Sequence, residues 1–238
     1  VTTVTDQTVF TAAITAEQMG LPFPLSPEQA RAVTDKRVMK LRFTEAGIPA
    51  SFYTFLSEDL TRGGAGPDVR AAAGGNAPSA ASGDSPAARL SQLTAPFVTK
   101  PFDSQGQRGV LKVETAAEVM ETVPEVLQYS RQKSILVEEY YSGDEITLSG
   151  WVNRGELLIL SVTDRITFER GRHIGICMAH NYPSKHLPER KDEISGLARR
   201  IVKAFSITEG PVYFQFLIGS RGIVVNEIAC RIGGAYEE

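Results

Sequence analysis

Phe97-Val-Thr-Lys-Pro-Phe-Asp-Ser-Gln-Gly-Gln-Arg-Gly-Val110 gathers one lysine, one serine, two glycines and an arginine behind a β-rich run. Gly106 and Gly109 carry no Cβ, so successive backbone N–H groups there can close on anionic oxygens. Lys100 and Arg108 add positive charge where a polyphosphate would sit, with Ser104, Gln105 and Gln107 as polar neighbours. The stretch is not a P-loop, and it lacks the Gly-x-Gly-x-x-Gly dinucleotide pattern. Taken alone it reads equally well as a glycine hairpin between two strands.

A second constellation lies near the end of the chain. Gln215 and Glu227 fall on facing strands of a hairpin predicted around Gly219-Ser-Arg-Gly222, each among apolar neighbours. An inward carboxylate at Glu227 needs a cation or an arginine, because an unpaired buried charge is costly. Mg²⁺ fits, since it takes oxygen ligands from one or two protein groups plus substrate phosphates. The plain alternative is a salt bridge from Glu227 to Arg231. His173, Cys177, His180 and His186 have no standard zinc spacing, and Arg165, beside Asp164 at a strand end, could hold a substrate carboxylate.

Four segments in this order resemble the ATP-grasp superfamily. Asp35-Lys36-x-x-x-Lys40 followed by Glu45-Ala-Gly-Ile-Pro49 is similar to its lysine helix, and the 97–110 stretch to its phosphate-covering loop. Ile135-Leu-Val-Glu-Glu-Tyr-Tyr-Ser-Gly-Asp-Glu145 resembles the adenine hinge. Gly210-Pro-Val-Tyr-Phe-Gln215 with Val225-Asn-Glu-Ile-Ala-Cys-Arg-Ile-Gly-Gly234 resembles the metal-binding hairpin and catalytic arginine, closest to the carbamoyl-phosphate synthetase and purine-ligase branch.

The resemblance implies roles. Lys36 would contact ATP phosphate, although Lys36 and Lys40 by spacing alone form a basic helix stripe. Glu138, Glu139, Tyr140 and Tyr141 would hold adenine through their backbone. Glu145 would accept from ribose hydroxyls, the alternative being a strand-edge glutamate in water. Gln215 and Glu227 would hold Mg, with Mn able to substitute. Arg231 would stabilise the acyl phosphate, and Gly233 and Gly234 would admit the carboxylate substrate. Ala229 stands where the family usually has an asparagine ligand, which leaves one metal ligand fewer.

The implied activity is an ADP-forming carboxylate–amine (or carboxylate–thiol) ligase. The alternatives are an ATP-binding module without turnover and a kinase that stops at phosphoryl transfer. The expected partners are small-molecule carboxylate and amine substrates, with a homodimer allowed.

These residues need scaffolding. Ser26-Pro-Glu-Gln29 reads as a capping box opening a helix, Asp35 re-caps a second helix, and Gly47 and Pro49 end it. Strands are predicted near 96–101, 109–113 and 134–139, with a helix capped by Thr115. A hairpin follows around Asn153-Arg-Gly155, then an amphipathic helix through Ile194, Leu197, Ala198, Ile201, Val202 and Phe205. The fold class is α+β, an ATP-grasp with two α+β lobes gripping ATP.

The divisions expected are 1–61, a pre-grasp end with the lysine helices; 62–92, a disordered Gly/Ala/Ser/Pro insertion; 93–141, the lid; and 142–238, the incomplete C-terminal part. The start at Val1 and the stop just past a motif suggest a piece of a longer protein. At 238 residues with net charge −3 the chain can bury a real core and shows no basic nucleic-acid surface. No apolar run is long enough to cross a bilayer, and two cysteines form no framework. The expected setting is cytoplasmic, without membrane or nucleic acid.

Overall fold

The computed structural model describes residues 5–58, 69–70, 79–80 and 85–232. Its first three helices form as the caps direct. Helix α1, Asp6–Met19, ends on Gly20 in the left-handed region. Helix α2, Pro27–Thr34, opens with the full capping box, Ser26 accepting from the Gln29 amide while the Gln29 side chain accepts from the Ser26 amide. Helix α3, Lys36–Glu45, is capped by the Asp35 carboxylate, which accepts from the amides of Arg37 and Val38.

Strand β1, Tyr53–Ser57, was not predicted from the sequence. It is followed by the two-residue strands β2 (Val69–Arg70) and β3 (Ser79–Ala80), then helix α4, Pro86–Leu90. The expected disordered insertion therefore needs correcting at its C-terminal end. Ser85 caps α4 by accepting from the Ala88 amide, and Arg89 and Leu90 are buried. Leu90 joins the core of the lid lobe. A composition averaged over the whole segment hid that anchor; 59–68, 71–78 and 81–84 lie outside the described residues.

Strands β4 (Phe97–Pro101), β5 (Leu111–Val113) and β6 (Ser134–Glu139), with helix α5 (Ala116–Leu127), complete the lid lobe. Strand β1 pairs antiparallel with β6, Tyr53 opposite Glu138. The second lobe is built from β7 (Gly143–Asn153), β8 (Glu156–Arg170), β9 (His173–Asn181), helix α6 (Leu187–Ala204), β10 (Glu209–Gly219) and β11 (Gly222–Ala229). Arg154 and Gly155, at φ +50 and +81, make the two-residue β7–β8 loop, the geometry that follows strand twist.

The strands run β1-β6-β4-β5-β9-β8-β7-β10-β11 in one nine-stranded sheet. Within the sheet, the two lobes are joined by the short β5–β9 pairing, where Leu111 stands opposite His173. One large apolar cluster packs α1, α2, α3 and α6 on β7, β8, β10 and β11. This redraws the expected division at 61: the first three helices belong to the second lobe's core, whereas β1 belongs to the lid. Apolar burial decides the grouping, since Val9, Val33, Met39 and Phe43 share that cluster with Phe214 and Val225. Among the described residues no helix is long and apolar enough to cross a membrane.

Candidate functional site

Two cavities lie side by side in the cleft between the lobes, sharing Lys100, Gln107 and Asn226 in their walls. The first is walled by Glu138, Glu139, Tyr140, Tyr141 and Glu145. The second is walled by Lys36, Ser104, Gln105, Gly106, Arg165, Gln215, Glu227 and Arg231. The structure thus brings most of the sequence-predicted residues together. Arg108 lines neither cavity: its Nε donates to the Gln105 carbonyl at 3.4 Å on an exposed surface. Gly109, at φ +74, lines neither, and a Cβ there would stand 2.8 Å from Pro101 and Tyr129. Gly233 and Gly234 lie outside the described residues.

The helix lysines are not a solvated stripe. Lys40 is 2% exposed and its Nζ sits 2.6 Å from Glu138, while Lys36 donates to the Ser104 carbonyl at 2.8 Å and stands 3.9 Å from Glu227. Lys100 Nζ lies 2.6 Å from the other oxygen of Glu138 and donates to Asn226 Oδ1 at 2.8 Å. Glu138 is therefore a buried carboxylate clamped between two ammonium groups. Burial acts to raise its pKa, but Lys100 and Lys40 outweigh burial and bring it down to about 2. Burial is also the main cause that lowers the pKa of Lys40.

On the hairpin, Gln215 stands opposite Glu227 as expected. The next pair is Phe216 with Val225, so Asn226 is an extra residue, a β-bulge. The bulge puts Asn226 in the wall of both cavities beside Glu227, and its Nδ2 donates to Gln215 Oε1 at 3.3 Å. Sequence reading missed Asn226. Two successive polar residues inside an apolar strand were the available signal.

The salt bridge from Glu227 to Arg231 does not form. Arg231 instead donates to Asp6 of α1 at 2.6 Å and lies over the Tyr213 ring. Glu145 is not a strand-edge glutamate in water: Arg165 Nη1 donates to it at 2.7 Å, and burial pushes its carboxyl above the usual range. Gly143 sets how closely β7 and β10 approach, since a Cβ there would fall 2.1 Å from the Ile218 carbonyl.

A divalent cation can be tested against these donors. Glu227 offers a carboxylate and Gln215 an amide oxygen, a hard-oxygen pair suited to Mg²⁺ with positions left for phosphate oxygens. Ala229 adds no donor, and among the described residues no cluster of three or more His, Cys, Asp or Glu forms. The set fits one such ion held jointly with a phosphate.

A family model, ATP-grasp domain, matches residues 93–237. The carbamoyl phosphate synthase large chain of Thermoanaerobacter sp. (strain X514) is 29% identical over 142 residues, covering 59% of this chain and 13% of that protein. The L-amino acid ligase from Bacillus licheniformis superposes at TM-score 0.70 with 18% identity, over 98% of this chain and 49% of that one. The VanG D-Ala:D-Ser ligase from Enterococcus faecalis gives 0.74 with 18% identity, over 94% of this chain and 60% of that one. The chain thus spans a small part of the synthase and about half of the amino acid ligase.

Proposed function

Because this chain belongs to the ATP-grasp domain family, we propose that it activates a carboxylate with ATP, as an acyl phosphate, for attack by an amine or thiol. One observation carries the reading. Lys36 of the second lobe, Lys100 of the lid and the Gln215–Glu227 hairpin pair face one cavity with Arg165 and Arg231. Cations meet hard-oxygen donors there, as a triphosphate and a carboxylate require together.

Adenine would lie in the first cavity against the 139–141 backbone, with ribose toward Glu145. The phosphates would run past Lys100 into the second cavity, under the 104–109 loop and beside Lys36. Arg231 and Arg165 would hold the substrate carboxylate, whose oxygen forms a bond to the γ-phosphorus as the bond to the β-phosphate oxygen breaks and ADP leaves. The nucleophile then bonds to the acyl carbon, phosphate departs with the electron pair, and the nucleophile gives up its proton. Mg²⁺, or Mn²⁺ in its place, held by Glu227 and Gln215, would supply charge neutralisation on the phosphates. Excluding water beneath the loop protects the acyl phosphate from hydrolysis.

The substrates are small carboxylates and amines, and the setting proposed is the ATP-rich cytoplasm. The test is ADP and phosphate release measured with Mg²⁺ across panels of amino acids and small carboxylates. AMP and pyrophosphate as products would sink the reading. Ala229, with its missing donor, favours one second reading, ATP binding without turnover; bound ATP with no carboxylate-dependent ADP release would select it.

A further inference from the structure

Cys177 and His180 are three apart on β9, and residues three apart on a regular strand point to opposite faces. Here they meet, with the Cys177 Sγ 3.3 Å from His180 Nε2. A bulge makes this so: Thr167 pairs with Cys177 and Ile166 with Ala179, leaving Met178 as the extra residue. Bulges recur beside active sites, where they re-aim side chains. The other ring nitrogen is fixed too. His180 Nδ1 stands 2.9 Å from Thr163 Oγ1, which itself lies 2.6 Å from Thr147 Oγ1. In the tautomer with Nδ1–H donating to Thr163, Nε2 accepts from the thiol at 3.3 Å, closer than the thiol's other acceptor, the Ala179 carbonyl at 3.8 Å. A nucleophile, a base in reach and a third group that orients the base is the general signature of an activated nucleophile.

Cys177 and His180 both line the second cavity, in the half that holds Arg165 and Arg231, and both are only half-buried. Cys230 is the contrast. It is buried, which pushes its thiol pKa far up, and among the described residues no histidine stands beside it.

We propose that Cys177 is a nucleophilic thiol activated by His180, open to reversible thiolation by small disulfides, and that an adduct there closes the substrate half of the cleft. The thiol proton passes to His180 Nε2. The Cys177 sulfur then attacks one sulfur of the disulfide, a new S–S bond forms, the old one breaks, and the released thiolate carries off the electron pair. Cys177 is oxidised and the departing sulfur reduced, so the disulfide is the only oxidant needed. The closure arm rests on the ligase reading, but the thiol arm does not.

The experiment treats the native chain with 5,5′-dithiobis(2-nitrobenzoate) and follows release of the coloured thiolate, with mass spectrometry to place the adduct. The expected result is one fast thiol, lost in Cys177→Ser and slowed about tenfold in His180→Gln, with Thr163→Val slowed in the same direction. Cys230 should react only on unfolding, which makes it the internal check that the variants are folded. Reaction at Cys177 no faster than that of glutathione at the same pH, or a rate unchanged in His180→Gln, overturns the thiol pair. In the second arm, thiolation should stop carboxylate-dependent ADP release and dithiothreitol should restore it, while whatever turnover Cys177→Ser shows should be the same before and after the reagent. A thiolated chain that turns over like the untreated one overturns the closure. Absence of ADP release in every sample, with the fast thiol present, counts against the ligase reading and leaves the pair standing.

Discussion

Asp6 and Arg231 meet at 2.6 Å although 225 positions separate them in the sequence. Their side chains are 9% and 15% exposed, and the other Asp6 oxygen, Oδ1, is buried without a hydrogen-bond partner among the described residues. The first turn of α1 is thus part of the cleft, and it holds the guanidinium toward the second cavity.

Asp6→Asn keeps the shape of the side chain but removes the charge that aims Arg231. Turnover should fall about 10- to 100-fold, the scale expected when a catalytic group is misplaced by about 1 Å. ATP affinity should fall much less, because adenine and ribose are assigned to the first cavity, which neither residue lines, and Arg231 is assigned to the substrate carboxylate. Steady-state kinetics beside nucleotide titration separates the two effects. Equal losses in both would point to a general folding defect instead.

Glu138→Gln should destabilise the chain by about 3 to 5 kcal/mol, since it leaves Lys40 without its counter-charge in a buried place. The same substitution should weaken ATP binding through the freed Lys100. The pH dependence has a definite sign. The Glu138 pKa is depressed from 4.5 to about 2 in the fold, so its stabilisation is present above 4.5 and disappears as pH falls toward 2. The gap in denaturant midpoint between wild type and Glu138→Gln should therefore narrow between those two values. A gap that stays constant across that window would rule out a charged Glu138 as its source.

Lys100→Ala and Glu227→Ala should separate. The first removes a cation from the wall shared by both cavities and should weaken nucleotide binding itself, by about tenfold. The second should leave adenine binding intact while abolishing Mg²⁺-dependent turnover. Calorimetry with an ATP analogue, with and without Mg²⁺, checks both. Normal turnover in Glu227→Ala would remove it from any metal role.

The 104–109 loop should become protected when nucleotide binds. Its polar contacts to the rest of the chain are with groups that a phosphate would engage in its place: Lys36 donates to the Ser104 carbonyl, and Gln107 packs near Gly175. Hydrogen exchange with and without a non-hydrolysable ATP analogue should show slowing across 105–109; equal protection in both states refutes the lid. Gly109→Ala should be worse tolerated than Gly106→Ala. Both have positive φ, but only at Gly109 does a Cβ also collide with Pro101 and Tyr129.

Much of the scaffold was legible because its signals are local. The capping box at Ser26–Gln29, the Asp35 cap and the Arg154–Gly155 turn each depend on a few neighbouring residues, and each formed. The apolar period of α6 likewise needs only its own side chains to announce a buried face. Strand β1 escaped because Tyr53, Phe55 and Leu56 are buried on both sides, so no polar alternation marks them. Helix α4 escaped because one leucine in a Gly/Ala/Ser-rich segment is a weak signal until a lid core exists to receive it.

By itself the sequence determined which chemistry the chain could carry: the lysines, the glycine loop, the facing glutamine and glutamate, and the arginine after them. It did so because those choices depend on residue type and on strand or helix period. Tertiary structure decided the partners. Only folding shows that Glu138 is clamped by Lys40 and Lys100, that Arg231 turns to Asp6 rather than Glu227, and that Asn226 reaches the cleft. Buried charges pair with whatever the packing brings near, and a one-residue bulge reverses which way a side chain points. Neither can be read from spacing along one strand.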